Sequence, residues 1–142
     1  MPSASRTVTI HRPPSAVYAF LLDGTTAPTW RSGVLDIALK SGSGVGAVYT
    51  QGVKGPGGRR IDADYEIIEL QPNQRIAFKA IAGPVRPNGS YDLVPAGDGT
   101  SLTFRLDAEL GGLKKLLMGG AVQSTMDAEM SALDKLKTVL EA

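Results

Sequence analysis

The strongest constraint on the fold is the spacing of apolar residues near the end of the 142-residue chain. Over residues 122–140 they recur at steps of three and four: Val122, Met126, Met130, Leu133, Leu136 and Leu140. This spacing places them on one face of an amphipathic helix. We predict a long C-terminal helix over 113–141 that lies across a wide apolar surface. Gly119 and Gly120 each disfavour a helix by roughly 1 kcal/mol relative to Ala, so we expect a bend or break there.

Most of the chain before this helix alternates apolar and polar residues with a period of two, as strands with one buried face do. One strand precedes Pro13, and six more follow between residues 34 and 110, separated by turns rich in Gly, Pro and Asn. The clearest of them runs from Arg60 to Ile67. Its parity slips at Ile67 and Ile68, which predicts a β-bulge before a turn at Pro72 and Asn73.

A short helical region separates the first strand from the others. Pro14 and Ser15 open a helix that ends near Asp23, with Ser15 as the expected cap, and a further turn ends at Trp30. Consecutive antiparallel strands followed by one terminal helix predict a single α+β domain over residues 1–142. In that arrangement the apolar rows of the sheet face the helix, and the charged rows face solvent.

The composition excludes several kinds of site and partner. The chain has no cysteine and one histidine, His11, which removes thiolate chemistry, disulfides and the usual zinc sites, so we expect no metal. The formal net charge is +1 with both signs mixed along the chain, so no nucleic-acid partner is predicted. No stretch approaches the roughly 20 apolar residues of a membrane span. We therefore expect no stable membrane insertion and a cytoplasmic location.

The glycine-rich segment 42–46 fits neither a nucleophile elbow nor a dinucleotide-binding loop. Ser43 stands one position early for the elbow, and Tyr49 stands where the fingerprint requires glycine. We interpret the segment as a turn and expect no cofactor. Asp62, Asp64 and Glu66 alternate with apolar residues, which is more typical of a solvated sheet face than of a cation or acid–base site.

Five segments and one tryptophan carry signatures of a known scaffold. They are IHRPPSAVYAFL at 10–21, Trp30, GVG at 44–46, YEIIELQPNQRI at 65–76, GTSLTF at 99–104 and LDKLK at 133–137. Together they resemble the polyketide cyclase/dehydrase branch of the START-like (SRPBCC) superfamily, over nearly the whole chain. The resemblance implies the α+β helix-grip fold: a curved antiparallel sheet of about seven strands wrapped around a long C-terminal helix, with two short helices after strand 1. It also implies an apolar cavity between sheet and helix.

The residues expected to line such a cavity lie on the inward parity of the strands and on the apolar face of the helix. We predict a ligand-binding surface made of Tyr49, Tyr65, Phe78, Tyr91, Phe104, Met118, Val122, Met126 and Met130. Methionine suits a deformable pocket wall, and it equally fills gaps in an ordinary core. A buried tyrosine hydroxyl needs a hydrogen-bond partner, which a ligand, the backbone or water can supply.

The candidates for catalysis are the hydroxyls of Tyr49, Tyr65 and Tyr91 and the imidazole of His11, the usual general base at neutral pH. His11 lies at a strand end on the polar parity, which points toward solvent or a loop. Arg31 and Arg86 are each interpreted either as contacts for an anionic ligand group at the cavity mouth or as solvated charges.

Three classes of function stay open on this basis. The first is binding or transport of a small hydrophobic ligand, lipid-like or polycyclic aromatic, in the cavity. The second is a polyketide cyclase, aromatase or dehydratase that acts in the same cavity, with a tyrosine or His11 assisting proton transfer. The third is an accessory protein that binds another polypeptide. The sequence leaves turnover, ligand identity and oligomeric state open.

Overall fold

The computed structural model describes residues 2–83 and 85–142, with the backbone alone for Pro56 and for residues 113–118. The strands are β1 Ser3–Ile10, β2 Val34–Ser41, β3 Val48–Lys54, β4 Arg60–Asp62, β5 Tyr65–Gln71, β6 Arg75–Ala80, β7 Asn88–Ala96 and β8 Gly99–Asp107. The α-helices are α1 Pro14–Leu22, α2 Gly112–Ser131 and α3 Leu133–Glu141, and 3₁₀ helices cover Gly24–Thr29 and Pro56–Gly58.

The strands form one antiparallel sheet in the order β1-β8-β7-β6-β5-β3-β2, with β4 also paired to β3. All pairings but two join strands that are consecutive along the chain. The exceptions are β1 with β8 and β3 with β5. The sheet is open, with β1 and β2 at its edges, and the C-terminal helices cover its inner face. This arrangement confirms the predicted α+β helix-grip fold.

The strand predicted from Arg60 to Ile67 is instead two strands, β4 and β5, separated at Ala63 and Asp64. The Asp64 carboxylate accepts a hydrogen bond from the backbone N–H of Gln51 (3.0 Å), and the Gln51 side chain donates to the Ala63 carbonyl (3.1 Å). These side-chain bonds replace ladder bonds, and they end regular pairing. Periodicity alone did not reveal them, because the apolar alternation continues across the break.

The predicted β-bulge and turn are confirmed. The register between β5 and β6 shifts between Ile67 and Glu69, so Ile68 is the extra residue and is exposed. Asn73 adopts a left-handed backbone conformation with φ 62°, which asparagine tolerates better than most residues. The bulge increases the local twist and helps the sheet to curve.

Two details of the predicted helices are wrong. Pro13, not Ser15, holds the N-cap position of α1, with no side-chain cap, and Pro14 starts the helix because its φ is already helical. The α2 helix runs without a break through Gly119 and Gly120, since glycine lowers helix stability but does not forbid helical geometry. The interruption lies at Ala132, between α2 and α3.

Side chains of α2 and α3 cover the open edge of β1. Hydrogen bonds from these helices occupy backbone groups of two β1 residues, Ser3 and Thr9, and of His11, which follows the strand. These groups point away from β8. The hydrogen bonds join Gln123 to the N–H and C=O of Ser3 (3.1 and 2.7 Å), Lys137 Nζ to the C=O of Thr9 (2.6 Å), and Glu141 to the N–H of His11 (2.8 Å). An edge strand covered in this way cannot easily pair with another chain.

The opposite edge is more exposed than the alternation predicts. On β2, Leu35 and Leu39 keep 48% and 50% of their surface accessible, although their row was expected to face the helix. The helix reaches the β1 side of the sheet through buried Leu133, Leu136 and Leu140, and β2 lies at the far end of the strand order. Two register shifts in the pairing of β2 with β3 also distort this edge.

Candidate functional site

Five adjacent strands each place one aromatic ring on the inner face of the sheet. We call this set, Tyr49, Tyr65, Phe78, Tyr91 and Phe104, the aromatic row. Successive ring centroids lie 5.2, 5.4, 5.9 and 4.6 Å apart. The two end pairs are stacked, because Tyr49 pairs with Tyr65 and Tyr91 pairs with Phe104 in the strand register. The row is thus a continuous aromatic surface, as the strand parity predicted.

The centre of the aromatic row depends on a glycine. Phe78 pairs with Gly89 on the neighbouring strand. A Cβ atom at position 89 would lie 2.3 Å from Phe78 Cζ, which no real contact allows. The missing side chain lets the Phe78 ring lie over the β7 backbone and bridge the Tyr65 and Tyr91 rings.

The C-terminal helix and Trp30 lie around the row. Met126 and Met130 are buried, and Trp30 meets Tyr91 and Phe104 edge-on at centroid distances of 6.4 and 6.5 Å. The middle of the row is less covered, because Tyr65, Phe78 and the helix residue Val122 are only half-buried, whereas Tyr49, Tyr91 and Phe104 are buried. The predicted Met118 side chain lies outside the described residues.

A charged group lies beside the aromatic row. Arg31 donates two hydrogen bonds to Glu129, at 2.7 and 3.1 Å, and a third to the side-chain oxygen of Gln51 at 3.0 Å. We call these three residues the polar cluster. The polar cluster joins the segment after Trp30 to β3 and α2. It therefore links the 3₁₀ helix that precedes Trp30, and the C-terminal helix α2, to the sheet.

The ion pair in this cluster is shielded from water, with 16% and 19% of the Arg31 and Glu129 side chains accessible. Burial disfavours the guanidinium charge, but the Glu129 carboxylate outweighs burial and raises the pKa of Arg31 above its ordinary range. The bidentate geometry satisfies both carboxylate oxygens. Arg31 is therefore neither a solvated charge nor an open contact for an anion, the two roles considered from the sequence.

The tyrosine hydroxyls differ in their partners. Tyr49 donates to the Leu22 carbonyl over 3.4 Å, whereas within the described part of the chain Tyr65 and Tyr91 make no side-chain hydrogen bond. In that part every solvent-inaccessible side-chain nitrogen or oxygen has a partner.

Burial keeps both of these hydroxyls protonated. It raises the pKa of Tyr91 well above its ordinary value of 10.0, and the nearby Arg31 charge only partly opposes this shift. Burial also raises the pKa of Tyr65, and the neighbouring Tyr91 adds to the effect. At neutral pH both are uncharged hydrogen-bond donors, and the Tyr65 hydroxyl lies against Gly24, beside the Tyr49 ring.

His11 does not join this group. Its backbone N–H is bound by Glu141, and it follows Ile10, which pairs with Thr100. Phe104 lies four residues further along β8, which is roughly 14 Å of strand. Arg86 is exposed and donates to the carbonyl of Gly83.

The described residues also form two open depressions. The first, about 340 Å³, is lined by Ala19 and Leu22 of α1, by Leu39, Ala47 and Tyr49, and by the glycine-rich turn. We call it the α1 depression. The second, about 320 Å³, lies on the outer sheet face around Ser90, Arg75 and Arg105. Met126 and Met130 line neither of them.

Sequence reasoning missed two members of the polar cluster, Gln51 and Glu129. Both had a signal. Gln51 follows Tyr49 by two residues and so shares its inward parity, where a polar side chain is unusual. Glu129 follows Met126 by three residues, which places it beside the apolar helix face.

A family model described as polyketide cyclase/dehydrase and lipid transport matches residues 1–141. The chain belongs to this family. A search of curated protein sequences found no match. None of the described helices of this family member is long and apolar enough to cross a membrane.

Solved structures share the fold of this polyketide cyclase/dehydrase family member at low sequence identity. TTHA0849 from Thermus thermophilus aligns with TM-score 0.81 and 22% identity, over 98% of this chain and 97% of that one. The di-domain ARO/CYC protein StfQ from the steffimycin biosynthetic pathway aligns with TM-score 0.78 and 16% identity, over 96% of this chain and 50% of StfQ. A START superfamily protein from Mycobacterium smegmatis aligns with TM-score 0.67 and 18% identity, over 94% of this chain and 98% of that one.

Proposed function

We propose that this family member binds a flat hydrophobic small molecule against the aromatic row, beneath α2. The observation that carries the proposal is the unbroken run of rings from Tyr49 to Phe104. Aromatic contacts of this kind contribute about 0.5–1.5 kcal/mol each beyond the area they bury. A planar ligand gains several of them at once.

The half-buried middle of the aromatic row is where we place the ligand. Tyr65 and Phe78 from the sheet and Val122 from the helix are each partly accessible and pack against the buried core. A ligand there covers apolar surface, at about 25 cal/mol per Å² removed from water. Met126 and Met130 are flexible enough to adjust to its outline.

Binding of the neutral fluorescent probe N-phenyl-1-naphthylamine tests this proposal. Its emission rises when it leaves water for an apolar site, so a saturable rise with the wild-type protein is expected. Val122→Trp should lower the affinity for the probe at least tenfold, because the larger side chain would occupy the space over Tyr65 and Phe78. Val94→Trp is the matched control, because Val94 is 59% exposed and lies on β7 away from the aromatic row.

A third variant distinguishes the two candidate binding places, the aromatic row and the α1 depression. Ala19→Trp fills the α1 depression, where Ala19 is an exposed lining residue. The proposal requires that Ala19→Trp binds the probe as the wild type does. Loss of binding in Ala19→Trp with retention in Val122→Trp would place the ligand in the α1 depression and contradict the proposal.

A cyclase or dehydratase acting in the same place is the second candidate, and the polar cluster favours it. The Arg31–Glu129 pair ties the helices to the sheet in either case, but it also lies near Tyr65 and Tyr91, where an enzyme would use it. Such groups orient a polarised ligand and assist proton transfer, which typically adds about 10²–10⁴-fold to a rate. Incubation with an uncyclised polyketide chain, followed by mass spectrometry, tests for this activity. A product lighter by one water supports the enzyme, and an unchanged mass supports the carrier.

The described sheet edges give no support to an accessory protein that adds a partner strand. Side chains of α2 and α3 occupy the β1 edge at Ser3 and Thr9, and two register shifts distort the β2 edge. Both are features that proteins use against edge-to-edge pairing.

A further inference from the structure

We propose that two copies of this chain associate through a surface made of β2, the glycine-rich turn at residues 42–46 and the α1 depression. We call this surface the β2 face. The proposal goes beyond the binding of a small molecule and does not depend on it. It comes from the exposed apolar residues of the β2 face, from the shape of that face and from the charges on it.

The β2 face holds most of the exposed apolar side chains. Among the described residues five large apolar side chains are exposed, and three of them lie here: Leu35, Leu39 and Val45. They remain 48, 50 and 60% accessible, and Leu39 also lines the α1 depression. Single exposed apolar residues are ordinary on protein surfaces, whereas a group of them beside an apolar depression is typical of an interaction site.

A well-anchored turn presents Val45 to solvent. The residue lies between Gly44 and Gly46, whose φ values of 66° and 92° suit glycine and few other residues. The Gly46 N–H donates to the Ile67 carbonyl (2.8 Å), and the Ala47 N–H donates to the Gly44 carbonyl (3.1 Å). These bonds fix the turn to β5 and to itself. The turn lines the α1 depression, so it exposes a valine at the rim of that depression.

A projection beside a depression is the shape that a symmetric dimer needs. In a twofold interface the same patch lies on both copies, so the patch must be complementary to itself. Val45 of one copy can occupy the α1 depression of the other, which has a volume of about 340 Å³, and symmetry supplies the reverse contact. Ala19, Leu22 and Leu39 line the depression with apolar surface for it.

The charges of the β2 face are complementary to one another as well. Asp23 lines the α1 depression, and Lys40 follows Leu39 as the extra residue of a bulge in β2. Asp23 accepts both bonds from Thr25 on one oxygen, Oδ1, and neither Asp23 nor Lys40 forms an ion pair within the described residues. Two copies can therefore pair these opposite charges crosswise. A membrane with an anionic surface favours a patch of positive charges instead.

The size of the β2 face predicts a weak dimer. The eight residues of β2 span roughly 26 Å, and two strands with one helix are about 20 Å wide. Pairing two such faces buries about 1,000 Å² in total, which is at the lower limit for specific interfaces. We therefore expect a dimer with a dissociation constant in the micromolar range.

Sedimentation velocity on the full chain, from about 1 to 500 μM, tests for this dimer. The wild type should shift from monomer to dimer over this range. Val45→Asp should weaken association at least tenfold, because a carboxylate would have to enter an apolar depression. Val94→Asp is the matched control, since Val94 is 59% exposed on β7, and it should leave association unchanged. Both variants should bind N-phenyl-1-naphthylamine as the wild type does.

The charged residues give an independent test in the same measurement. Lys40→Glu should weaken association, because it places a carboxylate opposite Asp23 of the other copy. Asp23→Asn should weaken association in the wild-type background and strengthen it in the Lys40→Glu background. This change of sign is expected only where the two positions meet, so an effect of Asp23→Asn that is the same in both backgrounds would contradict the pairing.

Cysteine cross-linking locates the contact, since the chain has no cysteine of its own. A mixture of Val45→Cys and Ala19→Cys proteins should form a mixed disulfide-linked dimer on mild oxidation, identified by its mass. A mixture of Val94→Cys and Ala19→Cys should form at least tenfold less of it. Equal yields from the two mixtures would contradict a contact between Val45 and the α1 depression.

Two further outcomes would overturn the proposal. One is a wild type that stays monomeric up to about 500 μM; if Val45 is then needed for sedimentation with phosphatidylcholine–phosphatidylglycerol vesicles, the β2 face docks on a bilayer instead. The other is a dimer that both Val45→Asp and Ala19→Trp leave intact, because association would then use another surface. Probe binding is measured separately, so either outcome leaves the proposed function to its own test.

Discussion

At the scale of single residues, the described part of the interior combines the aromatic row with the shielded Arg31–Glu129 ion pair. The spacing of Glu129 from Met126 places it beside the apolar helix face, but the sequence does not show that it meets Arg31. The inward parity of Tyr49, Tyr65 and Tyr91 could be predicted from a period of two, because strand geometry alone decides it. The meeting of Arg31 with Glu129 could not, since it depends on how a loop residue and a helix residue 98 positions apart are brought together.

The first residue-scale prediction concerns that ion pair. Glu129→Ala should lower the free energy of unfolding by roughly 3 kcal/mol, because it leaves Arg31 shielded from water without a counter-charge. The measurement is urea denaturation at pH 7. Asp127→Ala, on the exposed side of α2, is the control and should cost less than about 1 kcal/mol. Equal effects of the two substitutions would contradict a shielded pair.

The second residue-scale prediction follows from the raised pKa values of Tyr65 and Tyr91, whose ordinary pKa is 10.0. In the unfolded chain both hydroxyls ionise near pH 10, whereas in the folded protein they stay protonated to higher pH. Their contribution to stability is therefore fully present below pH 10 and is lost as the pH rises above it. Each hydroxyl contributes a slope of about 1.4 kcal/mol per pH unit in that range.

Denaturation of the wild type and of the double variant Tyr65→Phe/Tyr91→Phe between pH 8 and 11.5 measures this effect. The difference between them should be constant below pH 10, and above it the wild type should lose stability faster. Parallel curves over the whole range would show that these hydroxyls are open to water.

At the scale of secondary-structure elements, periodicity predicted nearly every helix and strand, and local bonding decided where they begin and end. The apolar stripe of the C-terminal helix continues across Ala132, so the stripe gave no sign of the interruption there. In the same way, the alternation from Ile61 to Ile67 concealed the break that the Asp64 carboxylate makes between β4 and β5. Such side-chain to backbone bonds depend on tertiary neighbours and leave no periodic trace.

The element-scale prediction concerns the glycines inside α2. An added Cβ atom at Gly120 would have no neighbour within 4 Å, and the residue is helical and exposed. Gly120→Ala should therefore raise the free energy of unfolding by about 0.5–1 kcal/mol, because alanine loses less backbone freedom on folding. Urea denaturation measures the gain. A loss of stability, or a loss of probe binding, would mean that the glycine serves a bend that ligand binding needs.

At the scale of the whole molecule, the helix-grip fold could be predicted from the order of elements, six strands and a terminal helix after a short helical region. The sequence pattern of the apolar rows is the same whether they fill a core or line a cavity. The site could therefore not be located without a structure. The structure brings five rings into one surface: Tyr49, Tyr65, Phe78, Tyr91 and Phe104. It places His11 just after β1, where Glu141 binds its backbone N–H.

The most direct test of binding beneath α2 is an NMR measurement on protein uniformly labelled with ¹³C and bound to N-phenyl-1-naphthylamine. Met126 and Met130 belong to the same buried core as Tyr91 and Phe104. We predict nuclear Overhauser contacts between the naphthalene protons and the Met126 methyl group and the Tyr65 and Tyr91 rings. Contacts confined to Ala19, Leu22 and Leu39 would place the ligand in the α1 depression and contradict the account.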